Sequence, residues 1–105
     1  MNDPRIAPLE PPFDAELGAL LAKMTPPDAP NVLALFRVLA KNPALAGRMM
    51  ATGGHFLGRG SSLTLRDREI VIDRTCARCR NEYEWGVHVA AFANAAGLTD
   101  AEVRH

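Results

Sequence analysis

Five times in a chain of 105 residues, a helix-capping side chain stands just before a run suited to a helix. The caps are Asp14, Asn42, Thr64, Asn81 and Thr99. A short oxygen-bearing side chain at such a position accepts from the backbone N–H groups that open a helix, so the pattern commits the chain to repeated helix starts. After Asp14, Leu17, Leu20, Leu21 and Met24 follow at i, i+3, i+4 and i+7, one face of a helix. "TPPDAP" (25–30) ends that segment, and "NVLALFRVLAKNP" (31–43) predicts a second helix with Val32, Leu35, Phe36 and Leu39 on one stripe. Asn42 and Pro43 open a third, which weakens at Gly53-Gly54 and ends or bends there. "GRGSS" (58–62) is a loop. Thr64 with Asp67 forms a T-x-x-D capping box ahead of a helix over 65–78, although "IVI" (70–72) alone suits a short strand. A helix from residue 82 runs to Gly97, a C′ glycine, and Thr99 with Glu102 opens another capping box. The fold class is therefore all-α, with five to six helices.

Length suits one domain, with a proline-rich arm over 1–13 and a helical domain over 14–105. A core of this size is modest, and neighbouring subunits often add stability to such chains. With 48% hydrophobic and 23% charged residues the composition is globular rather than disordered. The formal net charge of zero and the lack of a basic run argue against nucleic acid as a partner. No apolar stretch is long enough for a membrane span, and the polar N-terminus lacks the apolar centre of a signal peptide. A soluble, cytoplasmic protein is expected. The last capping box opens a helix with little body after it, which suggests a C-terminal part beyond residue 105 or packing supplied by a partner.

Chemistry concentrates in residues 69–88. Glu84 and His88 lie four apart, one turn on one helix face, where a carboxylate can orient an imidazole for acid–base work. Equally, that spacing is an ordinary surface pair. Glu69 reaches His88 only if the chain turns back between them, and "RCRN" (78–81) is the expected break, with Asn81 capping the returning helix. Cys76 and Cys79 form C-x-x-C among Arg74, Arg78 and Arg80. Nearby positive charge favours a thiolate, while small cysteines also simply fill helix interfaces. Two cysteines do not complete a zinc site, so no metal and no cofactor is expected. Tyr83 and Trp85 either line a substrate pocket, with Asn81 beside them, or anchor the packing. His55 has no local partner and is assigned to the surface or an interface.

"LTLRDREIVIDRTCARCRNEYEWGVHVAAFANAAGLTDAEV" (63–103), with "LFRVLAKNPAL" (35–45) before it, resembles the carboxymuconolactone decarboxylase-like family, which includes alkylhydroperoxidase D. The resemblance implies an alkylhydroperoxidase D-like helical bundle that assembles as a homo-oligomer, a trimer or hexamer, with sites between helices and near subunit interfaces. The peroxidase branch carries a glutamate, cysteines twelve and fifteen residues on, and a histidine nineteen on. Counted from Glu69, the histidine is His88, while Asn81 and Glu84 stand at the cysteine positions. The decarboxylase branch works without a cofactor on a small acidic lactone.

Three functions follow. The first is a cofactor-free acid–base enzyme on a small lactone or oxo-acid, in which Glu84 orients His88 and Glu69 supplies a second carboxylate. The second is a thiol-dependent peroxidase of peroxiredoxin type, with Cys76 and Cys79 as nucleophile and resolving thiol and an external thiol reductant. The third is a non-catalytic oligomerisation module. The register of the cysteines favours the first.

Overall fold

The structure, a computed structural model, describes residues 4–26 and 29–105. Among them are six α-helices and no strand: α1 (Ala15–Lys23), α2 (Ala34–Leu39), α3 (Pro43–Leu57), α4 (Leu65–Arg78), α5 (Glu82–Phe92) and α6 (Asp100–Arg104). The chain divides into two compact units, Met1–Gly60 and Ser61–His105.

In the first unit, Asp14 caps α1 by accepting from Leu17 N at 2.7 Å, and Leu21 carries the buried contact of that helix. Thr25 and Pro26 follow it, while Pro27 and Asp28 of the expected breaker lie outside the described residues. The second helix is shorter than its apolar stripe predicted: it starts at Ala34, because no side chain caps it at Leu33, and it gives way at Ala40. Asn42 accepts from Leu45 N at 3.2 Å, and Pro43 opens α3 as expected. The Gly53-Gly54 pair neither ends nor breaks α3, which runs through to Leu57. Glycine lowers helix propensity without forbidding the geometry, and fifteen residues of ladder hold it. Residues Leu9 and Glu10 are pinned to α2 by Arg37, whose Nη1 donates to Leu9 O at 3.0 Å and to Glu10 Oε1 at 2.9 Å.

In the second unit, Thr64 accepts from Asp67 N at 3.1 Å and opens α4. The β-prone "IVI" is helical, since the cap and the long ladder around it outweigh the preference of three residues. Helix α4 stops at Arg78. Asn81 N donates to Cys76 O at 2.8 Å and Arg80 N to Ala77 O at 3.2 Å, the paired bonds of a Schellman ending. The C′ residue of that ending is Arg80, in the left-handed region at φ 57°. Asn81 then caps α5 by accepting from Glu84 N at 3.1 Å, so the chain reverses within three residues. Regular helix ends at Phe92, earlier than expected. Gly97, at φ 72°, closes a second Schellman turn through Leu98 N to Ala93 O at 2.9 Å and Gly97 N to Asn94 O at 3.1 Å. Both halves of the Thr99–Glu102 capping box form and open α6. Arg66 of α4 donates to Gly97 O at 2.8 Å and pairs with Glu102, which fastens this last segment to α4. No described helix is long and apolar enough to cross a membrane.

Candidate active site

The reversal at 79–81 decides the site. Helices α4 and α5 pack against each other as an antiparallel hairpin. Glu69, near the middle of α4, therefore meets His88 on α5, although nineteen residues separate them in sequence. Glu69 is fully buried and His88 is 8% exposed, so their contact lies away from water. His88 Nδ1 stands 2.8 Å from Glu69 Oε1. The other oxygen of Glu69 accepts from Arg68 Nε at 2.7 Å. Arg68 is itself buried, and its guanidinium lies 4.8 Å from the centre of the Phe92 ring. That ring is 5.3 Å from the imidazole. On the opposite side, His88 Nε2 stands 3.3 Å from Glu84 Oε1, whose side chain is 30% exposed.

Both expected carboxylates thus reach the imidazole, one at each nitrogen. Glu69 is the more firmly held of the two, buried and fixed on its far side by Arg68. In the tautomer that donates Nδ1–H to Glu69, Nε2 is the ring's acceptor nitrogen. Glu84 sits at Nε2.

Arg68, Phe92 and Asp73 complete the surroundings, and none was singled out from sequence. Phe92 is four residues after His88 and Asp73 four after Glu69, so the same one-turn rule that paired Glu84 with His88 finds both. Arg68 follows no such rule, since neighbours in sequence point apart on a helix. Asp73 Oδ1 is buried with no hydrogen-bond partner among the described residues. Burial, and after it the Glu69 carboxyl, push the Asp73 carboxyl up from its ordinary range, and His88 opposes them.

Among the described residues, two clefts that share Trp85 border the hairpin. The larger, of about 460 Å³, is walled by Ile70, Asp73, Trp85, Leu98 and Val103. The smaller, of about 300 Å³, is lined by Cys76, Arg80, Asn81 and Trp85. Trp85 is a wall of both, whereas Tyr83 is 48% exposed and lines neither. Asn81 serves first as the cap of α5.

The cysteines do not share one environment. Both are free thiols; Cys76 is buried, and Cys79 is exposed at the C-cap of α4. Burial pushes the Cys76 thiol up, and Glu84 and Asp73 add to the effect. The expectation that Arg74, Arg78 and Arg80 favour a thiolate therefore fails at Cys76, where desolvation and carboxyl groups dominate. His55 is exposed and stands edge-on to Phe56. No set of three or more His, Cys, Asp or Glu side chains among the described residues is arranged to hold a metal ion.

The model of the carboxymuconolactone decarboxylase family matches residues 43–105, more than half of the chain. The chain belongs to the carboxymuconolactone decarboxylase family. The match takes in α3 to α6, and with them every residue of the Glu69–His88–Glu84 cluster. Comparison with curated proteins gives no match, and comparison with solved structures gives none either. The helical architecture and the family agree with what the sequence motifs implied.

Proposed function

We propose that this member of the carboxymuconolactone decarboxylase family is a cofactor-free acid–base enzyme acting on a small lactone or oxo-acid. The observation that carries the proposal is the imidazole of His88 held between two carboxyl groups, one fully buried and one partly open. Glu69 fixes the ring through Nδ1, so the Nε2 lone pair points in one direction and needs no reorientation when a proton moves. His88 takes a proton from substrate or water at Nε2 and returns it later in the cycle. Glu84, 3.3 Å from the same nitrogen, stabilises the protonated ring while it carries that proton. Decarboxylation, isomerisation and lactone opening all use such a carrier.

The test is a screen of small lactones and oxo-acids with the wild-type protein, His88→Ala and Glu84→Gln. Turnover that falls by about a hundredfold or more in His88→Ala is expected, the scale of a general acid–base contribution. Turnover unchanged in both variants refutes the proposal.

A thiol peroxidase is the second reading, favoured by the exposed Cys79 beside Arg80 at the end of α4. It predicts peroxide consumption with dithiothreitol that disappears in the Cys76→Ser/Cys79→Ser variant. The raised thiol of Cys76 weighs against it, because a thiolate is the nucleophile. Assembly as a homo-oligomer accords with large apolar side chains left exposed on α3 and α4, among them Met49, Phe56 and Val71. Mass measurement in solution tests that assembly.

A further inference from the structure

Of the carboxyl groups on α4 and α5, Asp73 is the one that lines the larger cleft. It stands one turn beyond Glu69 on α4 and within electrostatic reach of both Glu69 and His88. It is therefore the carboxyl near the buried cluster that also borders the space where a small molecule fits. The cleft, about 460 Å³, falls within the range of small-ligand pockets. Its walls are mostly apolar, from Ile70, Trp85, Leu98 and Val103, and a low-dielectric wall strengthens any hydrogen bond made inside. The buried Oδ1 of Asp73 has no partner among the described residues. Unpartnered buried polar atoms are rare in folded chains, and catalytic sites are one place that retains them.

We infer that Asp73 is a further catalytic residue: it hydrogen-bonds an oxygen of a small lactone or oxo compound lying against Trp85 and passes that oxygen a proton. This rests on the acid–base reading of His88. In lactone opening by water, the water oxygen bonds to the acyl carbon while His88 takes a proton from that water. The acyl C–O bond breaks, its electron pair goes to the ring oxygen, and that oxygen takes the Asp73 proton. His88 then releases its proton to solvent, and solvent returns one to Asp73. Lactone and water give the hydroxy acid, and no oxidant or reductant enters. Glu69 from α4 and His88 from α5 act on Asp73 directly. Around the cleft, Arg74 of α4 and Glu102, Arg104 and His105 of the last segment are exposed to solvent, which screens them. Burial and Glu69 push the Asp73 carboxyl up from its ordinary range, the direction that favours a donor, and His88 opposes them.

The experiment uses Trp85, the only tryptophan, as the reporter of the cleft. Its emission is titrated with γ-butyrolactone across a pH series in the wild-type chain and in Asp73→Asn. Binding in the wild type is expected to weaken as Asp73 loses its proton, and binding in Asp73→Asn to be flat with pH. No emission change at saturating lactone, or the same pH dependence in both proteins, overturns the inference. With a turned-over substrate, Asp73→Asn is expected to lower kcat by about a hundredfold, to leave KM within a few fold, and to remove the alkaline limb of the rate profile. A wild-type kcat with the limb intact overturns it. If His88→Ala and Glu84→Gln retain turnover, the acid–base reading fails on its own, and the lactone titration still decides Asp73.

Discussion

Two carboxyl groups touch one imidazole, and burial ranks them. Glu69 is fully buried, with Oε1 2.8 Å from His88 Nδ1 and Oε2 2.7 Å from Arg68 Nε. Removing one partner of a buried charged pair costs about 3–5 kcal/mol, because the remaining groups stay desolvated. Glu69→Ala takes an acceptor from both His88 and Arg68 and is expected at the upper end of that range. For a chain near this size each kcal/mol shifts Tm by about 4–8 °C, so a drop of roughly 20–40 °C follows. Glu69→Gln retains an acceptor for Arg68 and is expected to cost about half as much. Glu84 is different. Its contact with Nε2 is longer, 3.3 Å, and its side chain is 30% exposed, so the pair is worth no more than about 0.5–1 kcal/mol.

The assay is a pair of double-mutant cycles, Glu69→Gln with His88→Gln and Glu84→Gln with His88→Gln. Urea unfolding is followed by Trp85 emission, which reports the unit that holds the hairpin. A coupling of about 2 kcal/mol is expected for the first cycle and below about 1 kcal/mol for the second. Equal couplings, or a first coupling under about 0.5 kcal/mol, refute the assignment of Glu69 as the orienting group. The ranking has a functional counterpart: Glu84 variants are expected to lose turnover while the fold holds, and Glu69 variants to lose both.

Arg80 occupies a left-handed position at φ 57°, which costs an L-residue about 1–2 kcal/mol. Arg80→Gly is expected to raise stability by about 0.5–1 kcal/mol after the added freedom of the unfolded chain is subtracted, and a lowered Tm would contradict the Schellman reading. Asp73, raised above 3.8, makes the folded chain bind more protons than the unfolded one, so its contribution to stability falls as pH rises from the unfolded value through the folded one. The Tm of Asp73→Asn should therefore gain on wild type as pH rises above 3.8, and a gap that narrows instead would show the sign to be wrong. Near neutral pH, a thiol reagent should react fast with Cys79 and slowly with buried Cys76. Cys79→Ser should abolish the fast phase, and survival of that phase would reverse the exposure assignment.

The helix starts were legible because capping is local chemistry: each side chain at Asp14, Asn42, Thr64, Asn81 and Thr99 accepts from its helix as spacing foretold. Helix ends were less legible. Gly97 announced its turn, but the Schellman ending at Arg80 carries no glycine, and only the polar run "RCRN" hinted at it. Gly53-Gly54 misled in the opposite direction, because two weak propensities yielded to the continuous ladder of α3. In the site, the pairing of Glu69 with His88 was legible once a turn was allowed at 78–81. The environment of Cys76 was not. Charge neighbours along the sequence are arginines, while the groups that act on the thiol come from burial and from Glu84 and Asp73 across the hairpin.

The displaced cysteines then become intelligible through the hairpin. Residue 81 is the cap of α5, and residue 84 faces His88 Nε2 from one turn away. The resemblance to the peroxidase branch assigns those two positions to a dithiol, so a thiol at 84 would stand beside the imidazole and exchange protons with it. Here the carboxyl of Glu84 stands at His88 Nε2 in place of a thiol. The C-x-x-C that remains straddles the end of α4, with one thiol buried and raised and the other exposed. On the proposed reading, the imidazole of His88 and the exposed thiol of Cys79 are thereby separated along the hairpin. A variant that returns the dithiol to the family register, Asn81→Cys/Glu84→Cys, is expected to lose the His88-dependent turnover and to gain dithiothreitol-dependent peroxide consumption. Retained lactone turnover in that variant would mean that Glu84 is not needed at Nε2, and would remove the carboxyl–imidazole–carboxyl arrangement as the basis of activity.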